Sequence, residues 1–197
     1  LAAIGAWCSA NGVRLISDEI YHGLQYEHAI TTAATMPDAI VVNSFSKYWS
    51  MTGWRIGWMA LPEALIRPVE RLAANLFISA PQISQVAAEA AMDCGPECEA
   101  NKANYRRARD LLVRELPKAG FDRLSPAEGA FYLYADVSAL SNDSEALCQA
   151  MLAECGIAAT PGIDFDRTRG RQFVRFSYCG PEADMAEAAA RLQRWRR

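Results

Sequence analysis

Lysine and histidine are almost missing from this sequence, which has Lys47, Lys102 and Lys118 as its only lysines and His22 and His28 as its only histidines in 197 residues. With so few imidazoles a zinc site has few ligands to draw on. Long apolar runs are also lacking, and none approaches the roughly 18 residues that a membrane-spanning helix needs. Charge of one sign is absent too: 20 Lys+Arg stand against 23 Asp+Glu, a formal net charge of -3. No segment is basic enough to track a nucleic-acid backbone, so neither a membrane nor a nucleic acid is expected as a partner. Cys8, Cys94, Cys98, Cys148, Cys155 and Cys179 repeat no paired spacing and read as reduced thiols of a cytoplasmic protein. The first residue is Leu1 and no leader pattern follows it, so the chain is expected to begin inside a longer protein.

What the sequence does have is an ordinary globular balance, 51% hydrophobic and 22% charged. At about 150 residues per domain its length suits one or two domains. Helical spacing of Ile4, Trp7 and Cys8 predicts a helix over 1–10, stopped by Asn11-Gly12. Two buried strands follow, 13–16 ending at Ser17-Asp18-Glu19 and 39–42 ending at Asn43-Ser44, with a third over 55–61. Polar residues at successive strand ends mark a candidate site, because open α/β sheets bind ligands beyond the carboxyl ends of their strands.

Pro62-Glu63 predicts a short helix that Pro68 restarts or kinks, and a further helix buries Ile83, Val86, Ala87, Ala90 and Ala91 before Gly95-Pro96 ends it. A long amphipathic helix over 97–116, burying Tyr105, Ala108, Leu111 and Leu112, could bridge two domains, with the boundary near Gly95 or within it. Beyond it the pattern is α+β: strand 131–137, helix 144–155 closed by Gly156, strands 157–160 and 173–178, and a last helix from Pro181. That helix opens with Glu182 and Asp184 and ends in Arg191, Arg194, Arg196 and Arg197, complementing the helix dipole at both ends.

The densest chemistry lies in Ser44-Phe45-Ser46-Lys47-Tyr48-Trp49-Ser50-Met51-Thr52-Gly53-Trp54-Arg55-Ile56-Gly57. Partial desolvation by Tyr48 and Trp49 and the nearby cation Arg55 both favour the neutral, nucleophilic form of a lysine amine, which suits Schiff-base chemistry. Ser44, Ser46 and Arg55 supply hydroxyls and a forked cation of the kind that holds phosphate. Upstream, a buried Asp18 could pair with a protonated ring nitrogen, and Tyr21 could donate to a phenolate oxygen; a strand-end Asp is also a common turn former. Trp49, Trp54, Trp58, Tyr132 and Tyr134 read as core packing, and His22 as a neighbour of the site or a surface residue.

The Lys47 and Asp18–Tyr21 segments resemble those of the class I aminotransferases, fold-type-I enzymes that use pyridoxal 5'-phosphate. The likeness continues through Gly129-Ala130-Phe131-Tyr132, Pro161-Gly162 and Phe173-Val174-Arg175-Phe176. The resemblance implies an α/β fold: residues 1–95 as the C-terminal part of a large, mainly parallel cofactor domain, 96–116 as an interdomain helix and 117–197 as a small α+β domain. It implies that Lys47 carries the cofactor as a Schiff base and moves protons, Asp18 pairs with the ring nitrogen, Tyr21 bonds the ring hydroxyl, and Ser44, Ser46 and Arg55 hold the phosphate. Arg175 would grip the substrate carboxylate; its alternative is an internal salt bridge to Asp164 or Asp166.

Transfer of an α-amino group between an amino acid and a 2-oxo acid, in a homodimer, is the activity the resemblance implies. A carbon–sulfur β-lyase would use the same residues, and an aminotransferase-like effector domain of a transcription regulator is the non-enzyme alternative. Family members carry roughly a further domain's worth of chain ahead of the segment matching Leu1. It holds a glycine-rich phosphate loop, a ring-stacking aromatic and an asparagine that are not present here.

Overall fold

Apolar stretches near the N-terminus pair over shorter spans than their hydropathy suggests. In the computed structural model, which describes residues 1–195, helix α1 (Ala2–Ala10) is followed by strands β1 (Ile16–Asp18), β2 (Ile40–Ser44) and β3 (Gly57–Ala60). They form one sheet in the order β1-β2-β3, parallel between β1 and β2 and antiparallel between β2 and β3. The first strand thus starts later than expected, at Ile16, because its ladder begins only where β2 does, Ile16 facing Ile40 and Asp18 facing Val42. The third is cut short because Arg55 adopts left-handed backbone (φ 50, ψ 51), which no strand accommodates.

Helices α2 (Glu63–Leu76), α3 (Gln82–Ala91) and α4 (Gly95–Glu115) follow. Pro68 lies inside α2 and does not restart it. It removes one bond, to the carbonyl of Ala64, while half-buried Leu65, Val69 and Ala73 continue one stripe through it. In α3 the expected stripe is also corrected: Ile83 and Val86 are exposed, and the buried positions are Ser84 and Ala88. Ala88 joins Phe45 and Met51 in a small core against which Trp49, Ile56, Ala87 and Ala91 pack. Gly95-Pro96 opens α4 rather than closing α3.

The remaining elements are β4 (Arg123–Leu124), β5 (Tyr132–Asp136), α5 (Ser144–Cys155), β6 (Thr160–Pro161), β7 (Phe173–Ser177) and α6 (Glu182–Arg194). Their four strands form an antiparallel sheet in the order β4-β5-β7-β6. Strict alternation buries Leu133 and Ala135 of β5 and Val174 and Phe176 of β7 on one face, leaving Tyr132, Tyr134 and Arg175 on the other. Asp143 caps α5 by accepting from the Ala146 N–H at 3.1 Å, and Gly156 closes it at φ 68. The expected strand over 157–160 is instead the two-residue β6, paired with Val174 and Arg175. Arg191 and Arg194 close α6, while Arg196 and Arg197 lie outside the described residues.

The chain divides into two compact units, Leu1–Glu99 and the chain from Ala100 onward. Among the described residues no helix is long and apolar enough to cross a membrane, and no group of three or more His, Cys, Asp or Glu is placed to hold a metal ion.

Candidate active site

In the first unit, the carboxyl ends of the parallel pair β1 and β2 carry the residues singled out from the sequence. Asp18 ends β1 and Ser44 ends β2, two strands in direct register. The turn after β1 holds Tyr21, and the turn after β2 holds Lys47, whose Nζ lies 5.8 Å from the centroid of the Tyr21 ring. The fold therefore unites an amine and a phenol that stand 26 positions apart in the chain.

The Lys47 loop is tied by its own hydroxyls. Ser44 Oγ donates to Ser46 Oγ at 2.9 Å and accepts from the Ser46 N–H at 3.0 Å, while Thr52 Oγ1 donates to the Ser46 carbonyl at 2.8 Å. Gly57 lets β3 close over this end of β2, since a Cβ there would lie 2.5 Å from the Asn43 carbonyl oxygen. Arg55 is exposed, and its guanidinium donates to the Thr52 carbonyl at 2.8 Å. A left-handed arginine beside the loop is a strained feature of the kind that clusters at functional sites. Trp49 packs on Phe45 as expected, but Trp54 is exposed at 43% and belongs to no core.

Asp18 departs from expectation. Its side chain is exposed rather than buried, and its Oδ1 accepts from the Ile20 N–H at 3.2 Å, a turn-forming bond. The buried carboxylate here is its neighbour Glu19, 4% exposed, which sequence reasoning passed over. Glu19 accepts from Thr32 Oγ1 (2.7 Å), the Ala33 N–H (2.7 Å) and Ser17 Oγ (3.1 Å), and His22 Nδ1 lies 3.0 Å away. Burial pushes its pKa up, but the bonds from Ala33, Thr32 and Ser17 and the His22 charge outweigh that and hold it below the usual carboxylate range. Glu19 thus joins the end of β1, the Tyr21–His22 turn and the Thr32–Ala33 segment. The one signal in the sequence was a histidine three positions after the second of two adjacent acids, the spacing at which His22 meets Glu19.

The second unit contains Arg175. Its guanidinium carbon lies 4.1 Å from the Tyr132 ring centroid and 4.3 Å from that of Phe165, a cation between two aromatic faces. Tyr132 is therefore a wall of this cation rather than core, whereas Tyr134 stacks on Phe173 at 4.9 Å and 4°. Arg175 Nε is buried and has no hydrogen-bond partner among the described residues. The salt bridge to Asp164 or Asp166 does not form: Asp166 instead accepts from the N–H groups of Thr168 (2.8 Å) and Arg169 (3.0 Å). A buried donor left without an acceptor costs about 1–3 kcal/mol.

The model of the aminotransferase class I and II family matches residues 1–192, and the chain belongs to that family, whose cofactor is pyridoxal 5'-phosphate. It is 50% identical over 200 residues to a valine–pyruvate aminotransferase of Mycobacterium tuberculosis, covering 99% of this chain and 52% of that protein. A (5-formylfuran-3-yl)methyl phosphate transaminase of Methanocaldococcus jannaschii is 35% identical over 185 residues, covering 91% and 49%. The crystal structure of an aminotransferase from Mycobacterium tuberculosis superposes with a TM-score of 0.94 at 50% identity, covering 98% of this chain and 51% of that one. A second, of a putative aminotransferase from Silicibacter pomeroyi, gives 0.93 at 52% identity, covering 98% and 54%. The α/β architecture is thus that of fold-type-I aminotransferases. The chain spans about half the length of the curated relatives it matches.

Proposed function

We propose that the protein transfers an α-amino group between an amino acid and a 2-oxo acid, with Lys47 holding pyridoxal 5'-phosphate. The observation that carries this is the Lys47 amine over the Tyr21 ring at 5.8 Å, in a loop closed by the Ser44–Ser46 hydroxyl pair. The donor set fits the cofactor: Ser44, Ser46 and Arg55 would hold its phosphate, Tyr21 its ring hydroxyl and Asp18 its ring nitrogen. When bound, the cofactor supplies an aldehyde for the amine and an electron-withdrawing ring that makes the substrate Cα–H acidic. Lys47 Nζ would be the base that takes that proton from the substrate Cα and returns it. Arg175, with its buried and unpartnered Nε, would grip the substrate carboxylate.

Valine and pyruvate are the first pair to try, because the relative that is 50% identical is named for them. A homodimer in the cytoplasm is part of the proposal. In its favour are the exposed apolar side chains of α2 and α3, including Leu72, Leu76, Ile83 and Val86, and six free cysteines. The test is borohydride reduction of the cofactor-loaded protein, as expressed in full from its gene, followed by peptide mapping. Cofactor should be trapped on Lys47, and Lys47→Ala should abolish trapping. Label on Lys102 or Lys118 would refute the assignment. Alanine formed from valine and pyruvate supports transfer, whereas pyruvate and ammonia released from a β-substituted amino acid as the main products would favour a lyase.

A further inference from the structure

Lys47 is followed by a tyrosine whose side chain is held at both ends. Gly23 has φ +96, and a Cβ built on it would lie 2.5 Å from Cγ and Cδ2 of Tyr48, so the ring is pressed against the Gly23 backbone. At its other end, Tyr48 Oη donates to Glu99 Oε1 at 2.8 Å. Burial and the Glu99 carboxylate push the phenol up to about 12, so it remains a donor across the neutral range. Its ring also meets Trp49 edge-on at 5.1 Å, and Trp49 in turn contacts Phe45 and Trp58.

The geometry points to Tyr48 as a positioning residue for Lys47: wedged against Gly23 and pinned by Glu99, it fixes the lysine backbone relative to the turn that carries Tyr21. This inference rests on the reading of Lys47 as the cofactor-bearing lysine. Gly23 is two residues after Tyr21, so the contact joins the two turns whose side chains must meet. On the other side of Lys47, Ser46 is held by Ser44 and Thr52. With both neighbours fixed, the amine has little freedom except in its own side-chain torsions. A glycine is required opposite the ring for two reasons, since any Cβ would both strike Tyr48 and strain the positive φ.

The experiment compares Tyr48→Phe, Glu99→Gln and Gly23→Ala in the protein as expressed in full from its gene. Tyr48→Phe keeps the ring and loses the bond to Glu99; Glu99→Gln keeps an acceptor oxygen. Before cofactor is added, Tyr48→Phe should speed amide hydrogen exchange at Ser50 and Met51, whose N–H groups bond the Lys47 and Phe45 carbonyls. On mixing with pyridoxal 5'-phosphate, Tyr48→Phe should slow imine formation at Lys47 about tenfold and lower kcat similarly, with KM for the amino acid unchanged, as expected for a misplaced reacting group. Glu99→Gln should retain most of the rate. Gly23→Ala should behave like Tyr48→Phe or worse; if it fails to fold, Tyr48→Phe still decides. Wild-type exchange, imine formation and kcat in Tyr48→Phe, with cofactor trapped on Lys47, would overturn the positioning role alone. If the unsubstituted protein traps no cofactor on Lys47, the functional reading falls and the positioning role with it.

Discussion

The two units of this chain are held together by different means. From Ala100 onward, alternation along β5 and β7 builds an apolar core of Leu133, Ala135, Val174 and Phe176, each buried. The first unit hides little apolar surface: of the large apolar side chains exposed among the described residues, all but Val113, Leu140, Leu152 and Phe165 lie within it. Around the candidate site, a small apolar core of Phe45, Met51 and Ala88 is joined by polar ties, namely Glu19 with its four neighbours and the hydroxyls of the Lys47 loop. A unit that spends its order on polar contacts at a strand end has a site to hold. One that spends it on a core has a scaffold.

The largest expected effects come from removing each unit's principal support. Leu133→Ala should destabilise the second unit by about 2–5 kcal/mol, the cost of a buried leucine and the cavity it leaves. Glu19→Ala should cost the first unit about 1–3 kcal/mol, because the Ala33 N–H and the Thr32 hydroxyl lose their acceptor. Leu76→Ala, at a side chain 78% exposed, should change stability by less than about 0.5 kcal/mol. Trp7, Trp49, Trp54 and Trp58 lie in the first unit, so urea unfolding followed by tryptophan fluorescence reports mainly on it, while far-UV circular dichroism reports on both. A Leu76→Ala effect as large as that of Leu133→Ala would erase the contrast.

Arg175 tests whether the scaffold unit also serves the site. Arg175→Lys should raise the apparent KM for amino acids by roughly ten- to a hundredfold, from about 1.5–3 kcal/mol of lost charge-assisted bonding. The ammonium would sit between Tyr132 and Phe165 without the two-pronged geometry. Amines without a carboxylate should be unaffected by the change, and an equal loss with them would make Arg175 structural.

The same contrast explains what was legible in the sequence. In the second unit, α5 has the bounds expected from the sequence, because the stop at Gly156 acts locally. The two-residue strand β4 was missed because only its pairing with Asp136 and Ala135 defines it. In the first unit, Lys47, Tyr21 and Ser44 were legible as a motif and stand together, yet Asp18 was expected buried where Glu19 is. Hydropathy could not separate two adjacent acids; the donors that do so, Thr32 and Ala33, come from 13 and 14 residues away. The exposed stripe of α3 misled for the converse reason, since amphipathic spacing reports that a face is apolar and not that this chain covers it.

The smallest expected effect distinguishes a surface carboxylate in the second unit from Glu19 in the first. Glu115 accepts from Lys118 Nζ (2.7 Å), Arg114 Nε (2.9 Å) and Gln193 Nε2 (3.1 Å), which hold its pKa down to about 2. A carboxylate lowered in the folded state adds stability above its unfolded pKa, near 4.5, and loses it as the pH falls from there toward about 2. Glu19 shifts in the same direction, so both units weaken in acid, but Glu19 is buried at 4% exposure whereas the Glu115 side chain is 21% exposed. Salt should therefore shrink the Glu115 contribution and spare that of Glu19. Far-UV unfolding at about pH 6 and about pH 3, in low and high salt, compares the wild type with Glu115→Gln and Glu19→Gln. In low salt Glu115→Gln should lose slightly less stability on acidification than the wild type, and in high salt the two should coincide. Glu19→Gln should also lose less than the wild type on acidification, and that difference should survive the added salt. If salt abolished both differences equally, the Glu19 cluster would be as solvated as the surface pair, and the distinction between a polar hub and an apolar scaffold would fail at its polar end.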